Sequence, residues 1–241
     1  MVEHVVLGER DAGFCLVQPV DAHDAAILEN EYSHIAEACP GEKILLAALK
    51  VDDWNGDLSP WKADPVSLRF KFSGNAAKTL DHILKEFLPM LKRDYLSSPD
   101  KVQLIIGGYS LAGLFALWAS YNTDAFAACA AVSPSLWFPG WMDYAAASQV
   151  RTGAVYLSLG DKEEKVKHPV MRTVGDCIRR QKGLLEGIPS VLEWNPGTHF
   201  TDPALRTAKG FAWCVDTKST CKTCKCLIIN APLEGLEPTT P

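Results

Sequence analysis

The sequence predicts an α/β fold: a doubly wound, mostly parallel sheet in a single domain. Three observations predict it. Short apolar runs alternate with segments of helical period along nearly the whole chain, the pattern of strands linked by crossover helices. One run, residues 44–51, is almost continuously apolar, as a strand must be when both of its faces are covered. A third run, Ile105-Ile106-Gly107-Gly108-Tyr109-Ser110-Leu111-Ala112-Gly113-Leu114, ends in glycines, presents a serine and continues at once as an apolar-periodic segment. With 241 residues, 47% of them hydrophobic, the chain can bury one substantial core.

Taken in order, residues 14–20 read as a buried strand, followed by a helix from about Asp24 with Leu28, Tyr32, Ile35 and Cys39 at helical spacing. Pro40-Gly41 closes it, and the strand at 44–51 follows. An irregular stretch runs to about Asn75; then Leu80, Ile83, Leu84, Phe87, Leu88 and Leu91 form an amphipathic helix kinked by Pro89. Beyond the strand and helix that flank Ser110, further strands are expected at 126–132, 154–159 and 190–194, with a helix at about 169–185 between the last two. A final helix is expected from about Pro203 to Trp213. The expected domain spans 1–215, without a large lid. Residues 216–241 show neither period and read as a disordered, cysteine-containing tail.

Composition narrows the function. The net charge of −5 is mild and no basic cluster is interleaved with aromatics, so a nucleic-acid partner is not expected. The N-terminal ten residues lack the features of a signal peptide, and no segment approaches the roughly 20 apolar residues of a membrane span. A cytoplasmic protein is the expectation. Of eight cysteines, Cys15, Cys39, Cys129 and Cys177 fall in apolar-periodic segments and read as reduced core residues. Cys214, Cys221, Cys224 and Cys226 lie near the C-terminus, the last three as Cys-x-x-Cys-x-Cys, which lacks a clear partner set for a metal. No metal or cofactor is expected, and nothing in the sequence indicates an oligomeric state.

The chemistry centres on Ser110. A serine on a sharp strand-to-helix turn needs small residues two positions either side, and Gly108 and Ala112 supply them. Alanine is a departure from the usual glycine there, with Gly113 next in line. A serine hydroxyl is a poor nucleophile without a base that is itself held by a carboxylate. Of six histidines, His4, His23, His34, His82 and His168 occupy surface, capping or charged contexts. His199 lies in a turn-rich loop, Asn195-Pro196-Gly197-Thr198-His199-Phe200, at the sheet edge that carries Ser110. Between them, Leu159-Gly160-Asp161-Lys162-Glu163-Glu164 offers three carboxylates just past a strand, without saying which turns inward.

With these residues in view, positions 1–215 resemble the alpha/beta-hydrolase superfamily. Within it they are similar to the esterase branch that includes enterochelin-type siderophore esterases and feruloyl esterases, and to uncharacterised bacterial members of that branch. The matching segments are Gly108-Tyr109-Ser110-Leu111-Ala112-Gly113, Asp57-Leu58-Ser59-Pro60-Trp61, Ser133-Pro134-Ser135-Leu136-Trp137, Gly160-Asp161-Lys162-Glu163 and Gly197-Thr198-His199-Phe200. The resemblance implies Glu163 as the acid, three residues beyond its glycine, with Asp161 the runner-up and Glu164 third. It implies a reaction class, serine hydrolysis, and no substrate; a carboxylesterase acting on a small-molecule ester of small or medium acyl group through an acyl-serine intermediate is the expectation. An amidase, peptidase or acyltransferase on the same residues, or a catalytically silent binding protein, are the alternatives. The N–H of Leu111 is expected in the oxyanion hole, joined by that of Val20 or Asp21, because Gln18-Pro19-Val20-Asp21 leaves its strand at the same edge and Pro19 has no N–H. Trp54, Trp61, Tyr109 and Trp137 are the expected walls of the substrate pocket.

Overall fold

In the computed structural model, residues 3–64 and 71–229 are described, the side chains of 221–229 excepted. The main strands are β1 (His4–Gly8), β2 (Phe14–Val20) and β3 (Ile44–Lys50), then, beyond a small ribbon of β4 (Lys62–Ala63) and β5 (Phe72–Ser73), β6 (Gln103–Tyr109), β7 (Ala128–Val132), β8 (Val155–Gly160) and β9 (Ser190–Asn195). The helices are α1 (Ala22–Ala25), α2 (Leu28–Ala38), α3 (Trp54–Asp57), α4 (Ala76–His82), α5 (Leu88–Asp94), α6 (Leu111–Asn122), α7 (Trp141–Ala147), α8 (Val174–Gly183) and α9 (Pro203–Ile229). Seven strands form one sheet in the order β1-β3-β2-β6-β7-β8-β9, parallel throughout except for β1.

The continuous apolar runs are the buried centre of this sheet. All seven residues of β2 and six of seven in β3 are buried. Helices α2 and α9 cover one face, where Leu28, Ile35, Phe211 and Val215 meet Phe14, Leu16 and Tyr156. Helices α4 to α8 cover the other, around Phe87, Leu91, Phe115, Trp141 and Ile178. From β2 the chain winds outward to β3, then returns across the sheet to β6 on the far side of β2. The direction of winding therefore reverses between β2 and β6, and the carboxyl ends of those two strands frame a crevice of the kind that binds ligands.

Several elements were not legible in the sequence. Strand β1 is short, only half buried, and pairs antiparallel with β3 at the sheet edge. The kink expected at Pro89 takes the form of a π-helical segment, Ile83–Phe87, between α4 and α5. Proline lacks an N–H and its ring collides with the carbonyl four residues back, and a wider turn relieves both. Helix α9 starts at Pro203 but continues through position 216, the expected start of a disordered tail, as far as Ile229. No glycine or proline falls between Gly210 and Pro232, so a helix anchored by Phe211, Cys214 and Val215 can propagate without an apolar period of its own. Residues 230–241 lie outside the described residues. Cys15, Cys39 and Cys129 are buried, Cys177 is half-buried, and Cys214 is buried in α9. The side chains of Cys221, Cys224 and Cys226 lie outside the described residues. Among the described residues no helix is long and apolar enough to cross a membrane.

Candidate active site

Strand β6 ends at Tyr109 and α6 begins at Leu111, leaving Ser110 alone on the turn with φ 59° and ψ −118°. A positive φ on a residue with a Cβ is strained and persists only where the surroundings hold it. Both peptide groups of Ser110 are held: its N–H donates to Val132 O at 3.0 Å, and its carbonyl accepts from Ser135 N–H at 3.1 Å. The helix can start so close to the strand because a Cβ on Gly108 would lie 2.6 Å from that of Ala112, and one on Gly113 would lie 2.9 Å from both Gly108 O and Val132 O. Alanine at 112 is therefore accommodated by glycine at 108, and Gly113 makes the close approach of helix to sheet.

His199 Nε2 lies 2.9 Å from Ser110 Oγ, and its Nδ1 lies 2.7 Å from Glu163 Oε2. With Nδ1–H donating to the carboxylate, Nε2 is left as the acceptor for the serine hydroxyl. Glu163 is buried, its side chain 5% exposed. Its other oxygen, Oε1, accepts from Gly160 N–H at 2.7 Å and from Ser133 Oγ–H at 2.8 Å. The neighbouring carboxylates go elsewhere. Asp161 accepts from Gly197 N–H at 2.8 Å and so ties the acid loop to the histidine loop. Glu164 pairs with Arg179 at 2.9 Å.

Two side chains behind this row had not been read as part of it. Arg206, in the first turn of α9 and 2% exposed, donates to Pro196 O, Thr198 O, Tyr109 Oη and Glu163 Oε1 at 2.6, 2.9, 3.2 and 3.4 Å. Ser133, which donates to Glu163, adopts a positive φ of 42°. The signal for Arg206 was its spacing: it shares a helix face with the buried Gly210 and Cys214, one and two turns on. Tyr109, expected in the substrate wall, stacks obliquely on the His199 ring at 5.3 Å and donates its hydroxyl to His199 O at 2.7 Å. Burial holds its phenol above the ordinary range.

The remaining expectations fall around this row. Leu111 is the first residue of α6, so its N–H has no carbonyl a turn earlier to bond. The pairing of β2 with β6 runs from Phe14 and Gln103 to Val17 and Ile106 in parallel, so Val20 and Asp21 leave β2 at the same sheet edge as Ser110 leaves β6. Asp21 caps α1 through its side chain, accepting from His23 N–H and Asp24 N–H at 2.8 Å each. A cleft beside Val20 and Tyr109 is lined by Gln18, Asp24 and Glu31. Burial, reinforced by Asp21, pushes Asp24 up to about 6, against the opposing pull of His23 and His199. Trp54, Trp61 and Trp137 are half-buried against the core on the α6 side of the sheet. Trp61 donates to Pro139 O at 2.9 Å and packs edge-on against Phe138; Trp137 faces Phe72.

The Esterase family, described as "Putative esterase", matches residues 46–184, more than half of the chain. The chain belongs to this family. The matched segment holds Ser110 and Glu163 and stops short of His199. A curated relative, uncharacterised protein YbbA of Bacillus subtilis (strain 168), is 23% identical over 134 residues, 54% of each chain; the chain thus spans about half the length of that relative. Among solved structures, an IroE-like serine hydrolase from Shewanella oneidensis superposes with a TM-score of 0.68 at 16% identity, covering 88% of this chain and 74% of its own. Siderophore hydrolase EstB from Aspergillus nidulans gives 0.65 at 18% identity, covering 85% and 82%. At these identities the likeness is one of fold, and the chain shares with both a mostly parallel sheet flanked by helices.

Proposed function

We propose that the protein is a serine carboxylesterase that cleaves small or medium acyl esters through an acyl-serine intermediate, with Ser110 as nucleophile, His199 as base and then acid, and Glu163 orienting the histidine. The observation that carries this reading is the unbroken hydrogen-bonded row from Ser110 Oγ through His199 to Glu163, at 2.9 and 2.7 Å. In the first step His199 Nε2 takes the hydroxyl proton as Oγ adds to the ester carbonyl. The resulting imidazolium is stabilised by Glu163, whose charge is kept in place by three further donors. Negative charge gathering on the carbonyl oxygen meets the N–H of Leu111, at the positive end of α6. The second donor is assigned to the backbone of Val20 or Asp21 on the strand alongside. His199 then protonates the departing alcohol and activates the water that releases the acyl group.

Replacing Ser110 by alanine tests the reading directly. The wild-type protein is expected to react with a fluorophosphonate probe and to turn over short-chain nitrophenyl esters; Ser110→Ala is expected to do neither. Labelling of the variant at the wild-type level would remove Ser110 from the role of nucleophile.

A further inference from the structure

We propose that Arg206, working with Tyr109, is a positioning residue that fixes the His199 loop against the nucleophile and balances the charge of Glu163. The inference rests on the esterase reading of Ser110 and His199 for its kinetic consequences, and on geometry alone for its structural ones.

His199 reaches Ser110 from a loop that begins Asn195-Pro196-Gly197, with Gly197 at φ +101°. Such a segment has no periodic hydrogen bonding of its own to hold it. Its carbonyls are instead gripped from behind. Arg206 donates one nitrogen, Nη2, to Pro196 O at 2.6 Å and the other, Nη1, to Thr198 O at 2.9 Å. Tyr109 takes the next carbonyl, donating to His199 O at 2.7 Å. Three of the four carbonyls from 196 to 199 are thus fixed by two side chains, one on β6 and one on α9.

The grip is obligatory because of where the guanidinium sits. Its side chain is 3% exposed, and a buried cation is costly unless its donors are satisfied. The acceptors at hand are the loop carbonyls, Tyr109 Oη and Glu163 Oε1. Moving the loop out would strand the charge, so solvation of Arg206 and placement of His199 are one equilibrium. The approach is close enough that a Cβ on Gly160 would lie 2.6 Å from Gly197 O, 2.9 Å from Glu163 Oε1 and 3.1 Å from Arg206 Nη1. Lysine could keep the charge, but its single nitrogen cannot reproduce the planar fork that spans two carbonyls.

The same cation accompanies the buried acid. Glu163 accepts from His199 Nδ1–H through Oε2 and from Arg206 Nη1–H through Oε1, so removing Arg206 leaves a buried carboxylate without the cation beside it.

The experiment compares wild type with Arg206→Met, Arg206→Lys and Tyr109→Phe in kcat, KM and hydrogen–deuterium exchange over residues 195–201. Arg206→Met is expected to lower kcat about 100-fold, the order of loss that follows a displacement of about 1 Å, with KM within about threefold. Arg206→Lys should also lose turnover, since one nitrogen cannot span two carbonyls, and Tyr109→Phe should lose about tenfold. All three should exchange faster at 195–201 with the strands β6 to β8 unchanged. Wild-type kcat in Arg206→Met would overturn the proposal, as would a loss carried by KM or accounted for by an unfolded fraction. Should Arg206→Met fail to fold, the lysine and phenylalanine variants decide by the same criteria. A wild-type protein that is silent toward fluorophosphonate and esters would remove the esterase reading, while unaltered exchange at 195–201 would remove the clamp whatever the activity.

Discussion

Glu163 and Asp161 stand two residues apart with the same charge, and the difference between them is a matter of which donors surround each. Glu163 takes Nδ1–H of His199, whereas Asp161 takes a backbone N–H of the histidine loop. Glu163→Gln removes the acceptor that fixes the imidazole tautomer, and kcat on a nitrophenyl ester is expected to fall by roughly 10²–10⁴-fold. Asp161→Asn keeps an oxygen for Gly197 N–H and should stay within about tenfold of wild type. Equal losses in the two variants would take the acid role away from Glu163. From the sequence these carboxylates were equivalent, because every one of them lies just past the same strand. Only the family resemblance ranked them. Ser110 and His199 were legible because local chemistry marks them: a glycine-flanked turn in one case, a turn-rich loop at a strand end in the other. Arg206 was marked only by its spacing with Gly210 and Cys214 on α9, which points to burial but not to the loop carbonyls it meets.

At the scale of the element, α2 shows how a strand with a polar residue in its interior is completed. Gln18 sits in the fully buried β2, and its Nε2 donates to Glu31 Oε1 of α2 at 2.7 Å. Glu31 is 4% exposed. Burial pushes its carboxyl from the usual 4.5 up to about 8, while the Gln18 bond pulls the other way and Asp24 adds to the rise. Below about 4.5 both folded and unfolded chains hold this proton; between there and about 8 only the folded chain does. Stability from this site is therefore lost as pH rises across that window, on the order of a few kcal/mol. Glu31→Gln keeps the acceptor and has no proton to lose. Its melting temperature should exceed that of wild type at pH 8 and converge with it near pH 5; parallel curves would show that Glu31 titrates normally. The helical period of α2 was readable from Leu28 and Ile35, but Glu31 on its buried face contradicts that period and is explained only by Gln18.

For the molecule as a whole, one sheet separates two apolar layers, and the hydrogen-bonded row from Ser110 to Glu163 lies at the carboxyl edge of its parallel strands. Phe211 of α9 is fully buried in one layer and its ring occupies the space that a Cβ on Gly107 of β6 would need, 2.6 Å away. The glycine three residues before Ser110 thus makes room for the helix behind the sheet. Phe211→Ala is expected to cost about 3–5 kcal/mol of stability, read from urea unfolding. Because β6 lies at the centre of the sheet and leads directly to Ser110, near- and far-ultraviolet signals should unfold together; a separate early transition would mean that α9 docks as an independent unit.

By itself the sequence determined the alternation of strands and helices and the buried central strands, and it singled out Ser110 and His199 as candidates. These are local matters, set by apolar period, glycine placement and residue type within a few positions. The tertiary structure decided which carboxylate turns inward, that Tyr109 and Arg206 stand behind the histidine loop, that β1 closes the sheet edge, and that α9 runs past position 216. The first two depend on groups far apart in the chain meeting in a buried setting, where a charge or a carbonyl takes whatever partner the packing leaves it; the last two depend on which strand and which sheet face the folded core leaves for them to pack against.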